Sequence, residues 1–445
     1  LVRYAGWRAA SPDGCLYEET VTPKAPRPRL LAWLVQRVPY PELLPLYLAV
    51  FVDVLGYSVL IPFLPFFAQQ YDATPGEIGL LLSANALFGL FSGPVWGSLS
   101  DRYGRKPFLL LSQVGTLLGF VILLFARSLP MLFLSRIVDG VFGGQFPIAK
   151  AIIGDISRPE DRSKEMSNIG VAHVLSALLG PGIGGLLSRG GVSAPALLAV
   201  GLTVVTLLLT ALFVPESRSG GRDAAPRVAT SARAARTRPT ALLRNADARL
   251  LLVQWLFHTL SFTMFMACIS LFANLVLGLD AQQMGLMLTL AGLVRVFVRF
   301  AVFVPLLRRL GERNTSRLGL GLFVITYAVV GFVTNQGQFG AVLCVSSFAA
   351  SCTRGPLTGF LSRAVRPSEQ GVAMGANVSL DNLAQVVGPI VGGAILGAWP
   401  VWVYDALASM LALVAFALAY KPLGLTLDQT RGQAAPVKTD MDGRE

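Results

Sequence analysis

Ten ionisable side chains lie inside long apolar stretches of this sequence: Asp53, Arg136, Asp139, His173, His258, Arg295, Arg299, Arg354, Asp381 and Asp405. A charge is costly in such a setting, so each of these groups faces a cavity, a partner or a route for ions. Asp53 falls near the middle of its run, where a carboxyl group can take up and give back a proton; a neutral Asp bonded to nearby backbone, or one held by an arginine, is the alternative. Arg136 and Asp139 are three residues apart, close enough to pair on one helix face. That pair is either part of the proton chemistry or a static tie within a bundle. His173 and Asp381 each stand seven residues before a similar glycine-rich motif, and with His258 and Tyr57 they are candidates to line a pocket. Arg295, Arg299 and Arg354 give the second half a basic interior, which suits an anionic or zwitterionic ligand; the duller reading of Arg299 is that it reaches the headgroups.

These groups need apolar elements to carry them. Spanning a bilayer takes roughly 20 mostly apolar residues as a helix, and twelve such runs occur between residues 43–67 and 401–420. The chain is 53% hydrophobic and 14% charged, against about 25% charged in ordinary soluble domains. Its solvent is lipid. The net charge of +12 would suit a nucleic-acid binder, but its placement points elsewhere. Connections after the odd runs hold only Arg127 and Arg189, whereas those after the even runs hold Arg102, Arg105 and Lys106, then Arg158, Arg162 and Lys164, and later Arg308, Arg309, Arg313, Arg363 and Arg366. Basic connections stay in the cytoplasm, so the even connections and both termini are predicted there, and no nucleic acid is needed to explain the charge.

The predicted organisation is a polar cytoplasmic tail over 1–42, six spans over 43–214, a basic linker over 215–249, six spans over 250–420 and a second tail over 421–445. The halves look duplicated. "GPGIGG" from Gly180 recurs as "GPIVGG" from Gly388, 208 residues on, and "DRYGRK" from Asp101 recurs as "RRLGER" from Arg308 at 207. Within these motifs Gly180, Gly184 and Gly185 let another backbone approach and Pro181 bends the helix; Gly388, Pro389, Gly392 and Gly393 should do the same. Two pseudo-symmetric halves related by an axis along the membrane normal follow. Four cysteines without CxxC spacing and two histidines offer neither a zinc site nor a histidine-rich metal site. No phosphate-binding loop, HExxH or GxSxG occurs, so no cofactor or enzymatic activity is expected.

With those residues in view, "GSLSDRYGRK" from Gly97 resembles the GxxxDRxGRK signature of the major facilitator superfamily. "DVLGYSVLIPFLPFF" from Asp53 looks like the first span of tetracycline-efflux proteins. "RIVDGVFGG" from Arg136 is similar to the superfamily's RxxxG motif, and GPxxGG is associated with its antiporters. The nearest match is the twelve-span drug:proton antiporters. The resemblance implies an all-α integral membrane protein, with twelve helices in two pseudo-symmetric six-helix bundles around a central cavity. It implies that Arg136 takes part in proton coupling. It also implies that Asp101 holds the end of span 2 against span 11 in one state, with Arg102, Gly104, Arg105 and Lys106 as the rest of the gating motif. The second copy has Arg308 where the first has Asp101, which puts gating by the second half in question.

The function so predicted is secondary transport of a small organic solute by alternating access, driven by proton antiport, in a monomer embedded in a lipid bilayer. Two readings stay open beside it. One is uniport or symport of an organic anion or metabolite; the other is a non-transporting receptor or sensor on the same fold.

Overall fold

Thr74 and Asp280 open helices with the same device. Thr74 Oγ1 accepts from the Glu77 amide at 3.3 Å while the Glu77 carboxylate accepts from the Thr74 amide at 2.8 Å. Asp280 and Gln283 repeat the exchange at 2.8 and 3.0 Å. Each box satisfies two donors that a helix start leaves unpaired.

The structure, a computed structural model, describes residues 40–158, 161–191, 193–217, 244–366 and 369–423. The tail predicted over 1–42 lies almost wholly outside the described residues, as do most of the 215–249 linker and the 421–445 tail. The first half comprises α1 (Leu44–Leu60), α2 (Leu64–Gln69), α3 (Pro75–Tyr103), α4 (Arg105–Leu124), α5 (Leu129–Val141), α6 (Gln145–Ile156), α7 (Arg162–Leu187) and α8 (Ser193–Phe213). The second comprises α9 (Ala246–Leu277), α10 (Ala281–Phe297), α11 (Phe303–Val329), α12 (Gln336–Ala364), α13 (Gln370–Ala398) and α14 (Val401–Leu418). No strand occurs among the described residues.

All twelve apolar runs are helical. Nine helical stretches among the described residues are long and apolar enough to cross a membrane. The difference from twelve has local causes. Ala281–Phe332 is one stretch of 52 residues that contains two of the runs, bent at Gly311 with φ 74°. The run over 130–150 is split at Phe142–Gly144 into α5 and α6, and α12 carries Arg354 and Arg363. Phe91, Leu212, Phe297, Phe300 and Phe332 are exposed on the outer faces, as lipid contact requires, and Trp399 and Trp402 flank the α13–α14 turn, where the interfacial belt would lie.

The sequence repeat is a repeat of contacts. Gly104 separates α3 from α4 at φ 114°, and Gly311 bends α11 at φ 74°, a region open to glycine and strained for other residues. Ser58 donates to the Ser176 carbonyl at 3.0 Å, tying α1 to α7, and Thr263 donates to the Ala384 carbonyl at 2.9 Å, tying α9 to α13. Arg105 pairs with Asp155 at 3.1 Å; at the equivalent positions of the second half Glu312 pairs with Arg363. The sign of each partner is exchanged, so the copy that looks degenerate in sequence keeps its ion pair.

From Glu42 onward the described chain packs as one compact unit. Its two halves meet along α3 with α13 and α7 with α10. Both seams close on glycine. A Cβ on Gly393 would lie 2.8 Å from the Gly79 Cα, and one on Gly185 would lie 2.9 Å from the Gly285 Cα, so the GPxxGG glycines are where backbone meets backbone. Both contacts sit at the end that bears the odd connections. Ser83 adds a hydrogen bond of 2.7 Å across the first seam to the Val386 carbonyl.

Candidate functional site

Five helices of the first half, α1, α3, α4, α5 and α6, enclose a chain of polar groups. The break at Gly143 and Gly144 ends α5 and restarts the helix at Gln145, with the Gly144 amide donating to Ser112 Oγ at 3.1 Å. This break turns Gln145 inward. With its amide nitrogen assigned toward α1, Gln145 donates to Asp53 Oδ1 at 2.7 Å and its oxygen meets Thr116 Oγ1 at 2.8 Å. Thr116 meets Asp139 Oδ1 at 2.8 Å. The second Asp139 oxygen accepts from Asn85 Nδ2 at 2.7 Å and faces Arg136 Nη1 at 3.4 Å.

Arg136 is 1% exposed. Its Nη2 donates to Ser135 Oγ at 3.0 Å, its guanidinium lies 5.6 Å from the Phe120 ring centroid, and its Nε has no partner. Asp53 borders a pocket of about 20 Å³, room for one water.

Between the halves lies a cavity of about 440 Å³, lined by residues of both. That volume is in the range that holds a drug-sized molecule. Asn85 is on its wall, so the polar chain runs from the cavity, through Asp139, to Asp53. Of the candidates named from sequence, Tyr57, His173, Arg295 and Arg354 are on the cavity wall, and no carboxylate is among its lining residues.

Arg354 donates to Asp381 Oδ1 at 3.0 Å and sits 5.5 Å from the ring centroids of both Trp255 and Phe262. Trp255 Nε1 and Thr259 Oγ1 donate to the same carboxylate oxygen at 3.0 and 2.7 Å. Asp381 is thereby bound within the second half, behind Arg354, and not presented to His173 across the cavity axis. His258 also departs from its predicted place. It is buried among Phe262, Phe323 and Trp255 and is not on the cavity wall.

At the opposite end of α3, Asp101 pairs with Arg105, and Glu216 accepts from the Arg105 and Lys106 amides at 2.9 and 3.2 Å, capping the start of α4. A Cβ on Gly104 would come 3.0 Å from that Glu216 carboxylate. Arg102 lies 5.9 Å from the Tyr103 ring, and Gly97 faces open space.

The profile of the Major Facilitator Superfamily matches residues 46–376 and, in an overlapping match, 251–439. The chain belongs to the major facilitator superfamily. It is an integral, multi-pass secondary transporter and not an enzyme. The chain is similar to the class G tetracycline resistance protein of Vibrio anguillarum, with 29% identity over 393 residues, 85% of this chain and 97% of that protein. It is 26% identical over 357 residues to multidrug resistance protein 2 of Bacillus subtilis, across 78% of this chain and 86% of that one. The crystal structure of the human organic anion transporter MFSD10 shares the fold at TM-score 0.63 and 24% identity, covering 86% of this chain and all (100%) of that one.

Three members of this facilitator's polar chain, Asn85, Thr116 and Gln145, were missed by a search for charges inside apolar runs because they carry none. The glycine pair before Gln145 was the available signal, since it breaks a span where a helix would otherwise continue.

Removing one partner of a buried ion pair leaves the other charge uncompensated, at a cost of about 3–5 kcal/mol, whereas an exposed pair is worth about 0–1 kcal/mol. Arg136→Met should therefore lower the thermal unfolding midpoint of the facilitator in detergent sharply. Arg363→Met, at the exposed pair with Glu312, should lower it little. Equal shifts for the two variants would show that Arg136 is not held as described.

Proposed function

We propose that this facilitator exports a small organic solute in exchange for protons, with Asp53 as the proton carrier and the Asp139–Arg136 pair as its electrostatic partner. The carrying observation is the unbroken run of hydrogen-bonding groups from Asn85, on the cavity wall, to Asp53. A solute that takes up the Asn85 amide disturbs Asp139, and the disturbance reaches Asp53 through Thr116 and Gln145. Relatives named for tetracycline and multidrug resistance favour efflux of a drug-like solute.

The same proposal reads the chain as twelve crossings in two six-helix bundles, 43–214 and 250–420, with the even connections and both termini in the cytoplasm. The glycine seams then lie at the exterior end, and this conformation is the one closed to the outside. Alternating access separates those seams and brings the Asp101 loop against the start of α13, where a helix N-terminus favours an anion.

A second reading concerns the solute's charge. Arg295 lines the cavity, makes no ion pair among the described residues, and has an Nε without a hydrogen-bond partner. The Arg354 charge is matched by Asp381; that of Arg295 is not. An uncompensated guanidinium on a wall without carboxylates suits an organic anion or a zwitterion. Titrating the detergent-solubilised protein calorimetrically with 2-naphthylacetate, its neutral amide and 2-naphthylethylamine varies charge on one ring system. The anion should bind about tenfold more tightly than the others, and Arg295→Gln should remove that preference; equal affinities in the wild type rule the anion site out.

For the proton role, Asp53→Asn should abolish tetracycline accumulation in everted vesicles under an imposed pH gradient while leaving membrane expression intact. Full gradient-driven accumulation in that variant would take Asp53 out of the mechanism.

A further inference from the structure

Counting protons along the buried chain gives a constraint that its distances alone do not express. Thr116 has a single hydroxyl proton and two neighbours within 2.8 Å, Asp139 Oδ1 and the Gln145 amide. It can donate to one of them and must accept from the other. Gln145 has the same property in a different form: its amide presents a donor at one end and an acceptor at the other, facing Thr116 and Asp53.

Two complete arrangements exist. In the first, Asp53 is ionised and accepts from the Gln145 nitrogen at 2.7 Å; the Gln145 oxygen then takes the Thr116 proton, and Thr116 accepts from Asp139, which must be protonated. In the second, Asp139 is ionised and takes the Thr116 proton. Thr116 then accepts from the Gln145 nitrogen at 2.8 Å, the Gln145 oxygen turns to Asp53, and Asp53 must hold a proton to donate. With both carboxyls ionised, one contact in the chain sets acceptor against acceptor; a single proton on either carboxyl completes it, and a second is not needed, because a neutral carboxyl keeps an acceptor oxygen beside its donor.

We propose that Gln145 is the positioning residue that makes Asp53 and Asp139 share one proton, its amide rotating by half a turn as the proton changes owner. This rests on the proton-antiport reading and deepens it. The balance is closed: the proton that leaves Asp139 is matched by the one gained at Asp53, and none is created or lost within the chain. The charged and titratable neighbours act in the same scheme. Arg136, 3.4 Å from Asp139, favours the arrangement with Asp139 ionised. Tyr57 stands near both Arg136 and Asp139, and Asp53 and Asp139 repel when both are charged.

Asn85 gives the cavity a lever. Its amide donates to Asp139 at 2.7 Å and supports the ionised form, so a solute that draws it away returns the proton from Asp53 to Asp139.

The test is infrared titration of the protonated carboxyl C=O band in the purified full-length protein, with no solute and no gradient, so that it reads the shared proton and not transport. In the wild type the pair should gain its two protons in two well-separated steps, as strongly coupled sites do. Gln145→Leu deletes both the donor and the acceptor and should draw the steps together by about one pH unit or more. Gln145→His restores a ring with one donor and one acceptor and should return toward wild-type separation. A merely structural role for Gln145 would leave the separation alone in Gln145→Leu, and that result, or a single two-proton step in the wild type, overturns the proposal. If the infrared steps behave as stated while Asp53→Asn still accumulates tetracycline, the shared proton stands and the antiport reading falls.

Discussion

The constraint on which the rest of this structure depends is the cost of putting ionisable groups where neither water nor lipid can solvate them. Asp53, Arg136 and Asp139 are tolerable inside the first half because Asn85, Thr116, Ser135 and Gln145 are arranged around them within hydrogen-bonding distance. Such networks are worth most when every member is satisfied and are costly when one is missing. The break of the fourth apolar run at Gly143 and Gly144 follows from that demand, since an unbroken helix would not deliver Gln145 to Asp53. A local loss of helix is exchanged for a complete polar chain.

The two halves solve the burial problem differently, and the difference is functional. In the first half the carboxylates are linked to each other through neutral groups, which suits a mobile proton. In the second, Asp381 is fixed by Arg354, Trp255 and Thr259 together, which suits a wall of fixed charge. Arg295 then faces the cavity with no ion pair among the described residues. Both halves carry matching contacts at Ser58 and Thr263, at Gly104 and Gly311, and at the glycine seams; under the proposed function one half holds the proton and the other the cationic wall.

Much of this was legible in the sequence, for definable reasons. A membrane span is declared by length and apolarity, so all twelve runs are helical, and the repeat of GPxxGG at 208 residues foretold paired backbone contacts that Gly185 and Gly393 make. Charged groups in apolar surroundings announce themselves, and Tyr57, His173, Arg295 and Arg354 do line the cavity. Direction within a helix is what sequence did not reveal. His258 and Asp381 are one helical face away from the cavity, a difference set by the rotation of α9 and α13 and not by residue type. The exchanged ion pair Glu312–Arg363 was hidden for a related reason: each partner alone looks like a departure from the first half, and only their proximity shows the compensation.

The claim at the centre of this account is that occupation of the cavity and protonation of the buried carboxyl pair are one equilibrium. Its most direct measurement is the pH change of a weakly buffered detergent solution when a solute, tetracycline or 2-naphthylacetate, is bound by the purified protein. The account predicts proton uptake or release that tracks saturation of the site and vanishes in Asp53→Asn. Saturable binding with no proton exchanged by the wild type would contradict it.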